Sequence, residues 1–423
     1  MKTMFRKTSC LLICLLLINL LIPAQADAEA SGLRLDMSSP TLKQEVTVKT
    51  FVDGDTTHFH VPESVHPSGV LKARYLAVDT PESTGRIEEY GKAASLYTRS
   101  KLESAVSIIV ESDDAQWNID STGERYLVWV WYKTSESDEY RNLNVELLEQ
   151  GLARANSSAR NRYGTVCMDA IARGKEAKLH LHSGQKDPDF YYGNAVELTL
   201  RELRCSPESY NGVKVAFSGV ITMNDGSSVY VESYDPETER WYGMSVYYGF
   251  NMNGSALDIL SVGNESRIVG TLQYYEAGAT WQVSGLTYRA VRPKDPGNIQ
   301  KLSDGHSPAF APVTPAMLQE EITVPLEDGK HTASAIELSL ATSVSLQGLT
   351  VISAEAGMDE DHPSGMTLQC ERDGVPIQLY LVSPPAVSPD SLAGCTVDAR
   401  GIVDLHYGAY QIKVFLPGHL TIH

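Results

Sequence analysis

The chain has 423 residues, 42% of them hydrophobic, and a formal net charge of −18. A chain of this length has room for about three domains that each bury a core, and its acidic balance excludes a polypeptide that grips a polyanion along its whole length. Beyond the N-terminal segment no apolar run approaches the roughly 20 residues of a membrane helix, which predicts no membrane span.

Residues 1–30 read as a signal peptide: Lys2, Arg6 and Lys7 precede an apolar run from Leu11 to Ile22, and Ala24-Gln25-Ala26 supplies a small-x-small cleavage site. The expectation is a secreted, extracellular protein, released or held at the cell envelope.

Further on, Val46, Val48, Thr50 and Val52 alternate with Glu45, Thr47, Lys49 and Phe51, the period-two pattern of a strand with one buried face. The run leads into Asp53-Gly54-Asp55, a turn signal. A return strand passes through Phe59 and Val61, and in the next one Val70, Arg74, Leu76 and Val78 share a face. An arginine on a core face requires either a barrel mouth or a buried partner. Thr80-Pro81 ends that strand, because proline lacks a donor and holds the preceding residue extended, so Asp79 to Glu82 should form a rigid loop. Two carboxylates, an arginine and a further acid are thereby set at strand ends, the residue types that a divalent cation and a phosphodiester require.

Four segments in order carry a resemblance: Val52-Asp53-Gly54-Asp55-Thr56, Arg74 through Glu82, Tyr90 through Ser95, and Asn144 through Ala155. Together they resemble the staphylococcal-nuclease-like (thermonuclease) family over about residues 44–184, with the last two segments similar to that family's first and second helices. The resemblance implies an OB-type β-barrel with helices, a Ca²⁺ cofactor held by Asp55, Asp79 and the Thr80 backbone carbonyl, and DNA or RNA as substrate. It further implies Glu82 as base or orienter of the attacking water, and Arg74 and Arg125 as phosphate clamps. The family pattern has an Asp-x-x-Gly-Arg turn, whereas Asp120 through Arg125 delivers its arginine one residue later, with Glu124 as the inserted residue that a bulge would absorb. Where the family places aromatics that stack on a nucleotide, this chain has Ser157 and Ala159, with Tyr163 as a candidate replacement.

Other features in this region have plainer readings. His58 and His60 read as the wet face of a strand rather than a metal pair, Trp129 and Trp131 as strand packing, and His180 and His182 as partners of a helix C-terminus. Arg154, Arg160, Arg162 and Arg173 form either a substrate-facing basic patch or a solvated surface.

Past Gly193 the chain turns to short β-branched or aromatic runs: Val213–Val220, Val229–Val231, Met244–Tyr248, Arg267–Leu272 and Trp281–Val283. A matching series follows at Val344–Ile352, Met366–Cys370, Ile377–Val382, Val397–Val403 and Tyr410–Val414. Gly219 answers Gly348 and Gly270 answers Gly401, which predicts a duplicated five-stranded barrel of the OB kind. Five prolines between 293 and 317 mark a linker. The predicted organisation is therefore a signal at 1–30, a nuclease-like domain at 31–193, β modules at 194–292 and 318–423, and a linker at 293–317.

Among the cysteines, Cys10 and Cys14 belong to the signal. No Cys-x-x-Cys pair is formed by Cys167, Cys205, Cys370 and Cys395, so structural zinc is not expected. Export permits disulfides, and Cys370 and Cys395 share one module as a candidate pair; Cys167 reads as an inert buried thiol.

Residues 32–193 carry a net charge of −5 and residues 194–423 one of −14. The acidic modules are thus expected to contact protein or cell wall, or to act as solvated spacers, rather than to supply nucleic-acid affinity. The sequence reads as a mainly β, secreted, metal-dependent endonuclease hydrolysing DNA, with RNA as a further candidate substrate, followed by two OB-like barrels. The competing reading is a catalytically weakened nuclease-like scaffold that serves as an extracellular binding protein.

Overall fold

The computed structural model describes residues 32–423 apart from 85–86, 250–251, 253, 276–277, 328, 357–364 and 407. The segment read as a signal lies outside the described residues.

The first domain contains strands β1 (Lys43–Asp53), β2 (Thr56–His60), β3 (Val70–Tyr75), β4 (Val78–Asp79), β5 (Ser107–Glu111), β6 (Tyr126–Lys133), β7 (Arg141–Asn142) and β8 (Arg154–Ala155). It also has helices α1 (Gly91–Glu103), α2 (Leu143–Glu149) and α3 (Gly164–Glu176). β1, β2 and β3 form an antiparallel meander; β1 pairs on its other edge with β5, β5 with β6, and β6 returns parallel to β3. Closure leaves no free edge among these five strands, the OB-type order. Val46, Phe59, Leu71, Val128 and Val130 fill the interior, and Trp129 and Trp131 are fully buried with them, packing the strand as read from the sequence.

The second domain repeats that order. After β9 (Val196–Glu197) and helix α4 (Leu200–Cys205) come β10 (Lys214–Asn224), β11 (Ser228–Asp235), β12 (Arg240–Tyr247), β13 (Glu265–Tyr275) and β14 (Thr280–Ser284). β10, β11 and β12 form the meander, β12 runs parallel to β14, and β13 joins β14 back to β10. A third barrel closes in the same way from Ser343–Ala356, Met366–Arg372, Val375–Leu381, Thr396–His406 and Ala409–Val414. Gly270 and Gly401 are equivalent in space. A Cβ added to either would lie 2.6 or 2.7 Å from a carbonyl oxygen of the fifth strand, so a side chain would wedge the closure open. The other glycine pair matches in placement, each lying four residues beyond the strand partner of Gly270 or Gly401, but not in conformation: Gly219 faces Glu232 across the sheet, whereas Gly348 sits at a register shift with φ of +64°.

Segment 293–317 is laid along both barrels rather than hanging between them. Gln300–Ser303 adds to β13, and Ala311–Pro312 runs parallel to Val344–Ser345. Beyond it, the hairpin Glu321–Leu326/Gly329–Ser334 sends Val324 into the core of the second barrel. Alternation of Ile322, Val324 and Leu326 gives that hairpin one apolar face to bury. Cys370 and Cys395 are both free thiols in this structure, and Cys167 and Cys205 are buried thiols.

Candidate active site

The site lies where β1 turns into β2 and β4 runs into the following loop. Asp53 pairs with Thr56, so Gly54 and Asp55 make a two-residue turn. A Cβ on Gly54 would stand 2.9 Å from both Ala94 Cβ and Thr80 Oγ1; its absence lets α1 and the loop close on the turn. Thr98 of α1 pins that turn by donating to the Gly54 carbonyl at 2.5 Å.

Asp55 points inward and is fully buried. Its Oδ2 accepts the Thr80 N–H at 2.8 Å, and its Oδ1 accepts from Thr56 Oγ1 at 3.1 Å and from Arg74 Nη1. Arg74 Nη2 donates to Asp79 Oδ1 at 2.8 Å, so one guanidinium bridges a buried carboxylate and a half-exposed one. The buried partner that a core-facing arginine requires is therefore Asp55. Burial pushes the Asp55 carboxyl up, while the Arg74 charge and the Thr80 N–H oppose the rise.

Asp53, which sequence reasoning treated only as part of a turn, belongs to the same cluster. Its Oδ1 accepts from Gly54 N at 2.7 Å, Ser83 N at 3.2 Å and Ser83 Oγ at 2.6 Å. Burial first, then a hydrogen bond with Glu82, holds the Asp53 carboxyl well above the usual carboxylate range. Glu82 lies beside this carboxyl, on a loop where its own carbonyl accepts from Glu88 N at 2.9 Å. An acid on each side of Gly54 was the available sequence signal.

Among the described residues no three side chains of His, Cys, Asp or Glu converge as a ready-made metal cluster. Two carboxylates and a backbone carbonyl are nevertheless a hard, all-oxygen donor set that leaves positions for water and a phosphate oxygen, which suits Ca²⁺. Thr80 Oγ1 is buried with no hydrogen-bond partner, a further oxygen in that corner. The residues present fit the cation that the resemblance implies.

Arg125 is bound to a different acid. Its Nε and Nη2 lie 2.7 and 2.6 Å from Asp120 Oδ2, closing the turn that precedes β6. It comes two residues before Leu127, the register partner of Arg74. Glu124 pairs at 3.8 Å with Lys72 on the surface. Tyr163 does not replace the missing stacking aromatics: it is buried edge-on against Trp129 and Trp131, and its hydroxyl donates to Glu111 at 3.0 Å. Three of the four arginines considered as a basic patch have acidic neighbours, Arg154 with Glu88, Arg162 with Glu111 and Arg173 with Glu149. His180–His182 forms a separate 3-10 turn after α3, with His180 Nδ1 2.8 Å from the Gln150 carbonyl.

A comparison with known families places the family description "staphylococcal nuclease homologue" on residues 72–182, a stretch that includes Arg74, Asp79, Thr80, Glu82 and Arg125. Asp55 lies before that stretch and joins it through the β1–β2 turn. Residues 72–182 are thus similar to the staphylococcal nuclease homologues, and the closed five-stranded barrel that holds them makes the first domain a staphylococcal-nuclease-homologue domain of OB-type fold.

Proposed function

We infer that the first domain is a Ca²⁺-dependent phosphodiesterase that cleaves DNA and RNA internally, carried by a secreted protein. The observation that supports this reading best is the Arg74 guanidinium held between Asp55 and Asp79, since it sets a bidentate phosphate donor beside hard oxygen ligands. Asp55, Asp79 and the Thr80 carbonyl would hold the cation, which when bound supplies Lewis-acid polarisation of a phosphate oxygen.

The chain's own groups account for the rest. Arg74 donates to the equatorial phosphate oxygens as charge accumulates on them. Glu82, beside Asp53, accepts the proton of a water as the water oxygen bonds to phosphorus. The bond from phosphorus to the leaving ester oxygen breaks, and that oxygen takes up a proton. A positioned base of this kind contributes about 10²–10⁴ in rate. Arg125 would add a second donor, on condition that it releases Asp120.

That condition, together with Ser157 and Ala159 at the stacking positions, favours the second reading of a binding scaffold without turnover. Incubation of the purified protein with single-stranded and duplex DNA and with RNA, in Ca²⁺ and in chelator, separates the two. Cleavage in Ca²⁺ that chelator abolishes is expected; binding without cleavage under both conditions overturns the enzymatic reading.

A further inference from the structure

A cleft of about 530 Å³ opens between the first and second barrels. Its volume is that of a small-ligand site, so a few unstacked nucleotides fit and a duplex does not. One wall is α1 with Ser83, Thr84 and Ile87; the other is formed by β10, β13 and β14. The two barrels meet at the catalytic loop, where Gln273 Nε2 donates to the Ser83 carbonyl at 2.7 Å. Ser83 is the residue that binds Asp53, so the cleft adjoins the candidate active site through one residue.

The chemistry of the walls departs from that of the chain as a whole. Lys92 and Arg99 project from α1 and Lys214 from β10; Lys92 lies 3.6 Å from Asp189, the acid of the lining, and Arg99 pairs at 3.3 Å with Glu103 one turn along its helix. Among the described lining residues cations outnumber acids, the reverse of a chain with net charge −18. Arg99 stacks over the Phe51 ring at 4.6 Å. Tyr274 and Tyr275, at the end of β13, are 44% and 42% exposed, and Tyr274 is held against Trp281 with ring centroids 5.2 Å apart. Exposed aromatic faces braced from behind and flanked by cations are what binds successive bases and phosphates of a single strand.

We propose that this cleft is a substrate subsite which holds the single-stranded continuation of the nucleic acid whose scissile phosphate sits at Arg74. The proposal rests on the phosphodiesterase reading of the first domain. It also accounts for Ser157 and Ala159: the stacking surface absent from the first barrel is supplied by the second.

The test uses the full chain and two substrates, an oligothymidylate that reaches the cleft and bis(p-nitrophenyl) phosphate, which does not. In the double variant Tyr274→Ala/Tyr275→Ala, KM for the oligonucleotide should rise about tenfold with kcat unchanged, while hydrolysis of the small diester is unaffected. Tyr274→Phe, which keeps the stacking face, should behave as wild type. An unchanged KM, or equal loss on both substrates in a folded variant, overturns the proposal.

If the double variant does not fold, Lys214→Ala replaces it, and the slope of log affinity against log salt for the oligonucleotide should fall by about 0.7; an unaltered slope overturns the proposal. If the wild-type protein hydrolyses neither substrate, the phosphodiesterase reading has failed on its own. Fluorescence anisotropy with labelled oligothymidylate in chelator then still decides the cleft: about tenfold weaker binding by the double variant supports it, and equal binding removes it.

Discussion

The first and second barrels close with the same strand order and turn from first to second strand at the same corner, yet the aspartates in those turns do different things. In the second barrel Asp225 Oδ1 accepts from Ser227 N at 2.9 Å, Ser227 Oγ at 3.0 Å and Ser228 N at 2.6 Å, all within three residues of itself. In the first, Asp55 accepts from Thr80 and from Arg74, which lie 25 and 19 residues away. The turn of the second barrel is self-contained, whereas that of the first draws a distant arginine and loop to one point. A shared barrel is compatible with both, so chemistry follows from where a carboxylate finds its donors and not from the fold.

Four measurements sharpen or break that contrast. The largest effect is expected from Asp55→Ala, which should abolish cleavage and also the Ca²⁺-induced rise in melting temperature that a bound cation produces. Asp225→Ala should leave both intact. A calcium-dependent shift that persists in Asp55→Ala would remove this residue from the cation site.

Next in size, Arg74→Ala should lower kcat by about 10²–10³ with little change in KM, the loss typical of a single preorganised donor. Arg125→Ala should cost less, because that guanidinium is tied to Asp120 of its own turn, whereas Arg74 is held against the proposed cation ligands Asp55 and Asp79. If Arg125→Ala retains full turnover in steady-state assays, the phosphate clamp is Arg74 without it.

A third variant probes stability rather than chemistry. Glu232, buried in the second barrel, accepts from Ala309 N at 2.7 Å, Ser343 N at 2.7 Å and Ser343 Oγ at 2.9 Å. Glu232→Ala leaves those donors without partners at about 1–3 kcal/mol for each buried group, which urea unfolding should register as a fall of several kcal/mol with the small-diester kcat unchanged. Burial raises this carboxyl above its ordinary value of 4.5, so its protonated form is favoured by folding. The margin of wild type over Glu232→Gln should therefore shrink as pH rises past that ordinary value. A margin that grows with pH would show that the three donors outweigh desolvation.

The smallest effect belongs to Glu124→Ala. Glu124 pairs at 3.8 Å with the half-exposed Lys72, so stability should change within about 0.5 kcal/mol and turnover should not change. A strong loss of kcat would mean that the inserted residue aims Arg125.

The strand rhythm and the charged loop were legible in the sequence because both are local: alternation announces a buried face, and Arg74 on such a face demands a carboxylate. The equivalence of Gly270 and Gly401 was legible for the same reason, each being the position where a barrel leaves no room for a side chain. Asp53 was not, since its acidity depends on burial and on Glu82, a neighbour brought close only by folding. Nor was the fate of Tyr163, whose ring is captured by two tryptophans of β6. The cleft was invisible for a related reason: Lys92, Arg99, Lys214 and Tyr274 come from two domains, and the positive charge is lost in the average over two net-acidic regions.

Arg204, on α4, donates to the carbonyls of Gly243 in the second barrel at 2.6 Å and Leu340 before the third at 3.1 Å, and burial lowers it to about 10. At the same seam a Cβ on Gly243 would stand 2.5 Å from the backbone of Ala341. Backbones in direct contact and tied by one guanidinium make a weld, not a hinge. Mechanically, then, the last two barrels should move and melt as a single beam, and any opening or closing of the molecule has to take place at the joint where Gln273 meets Ser83.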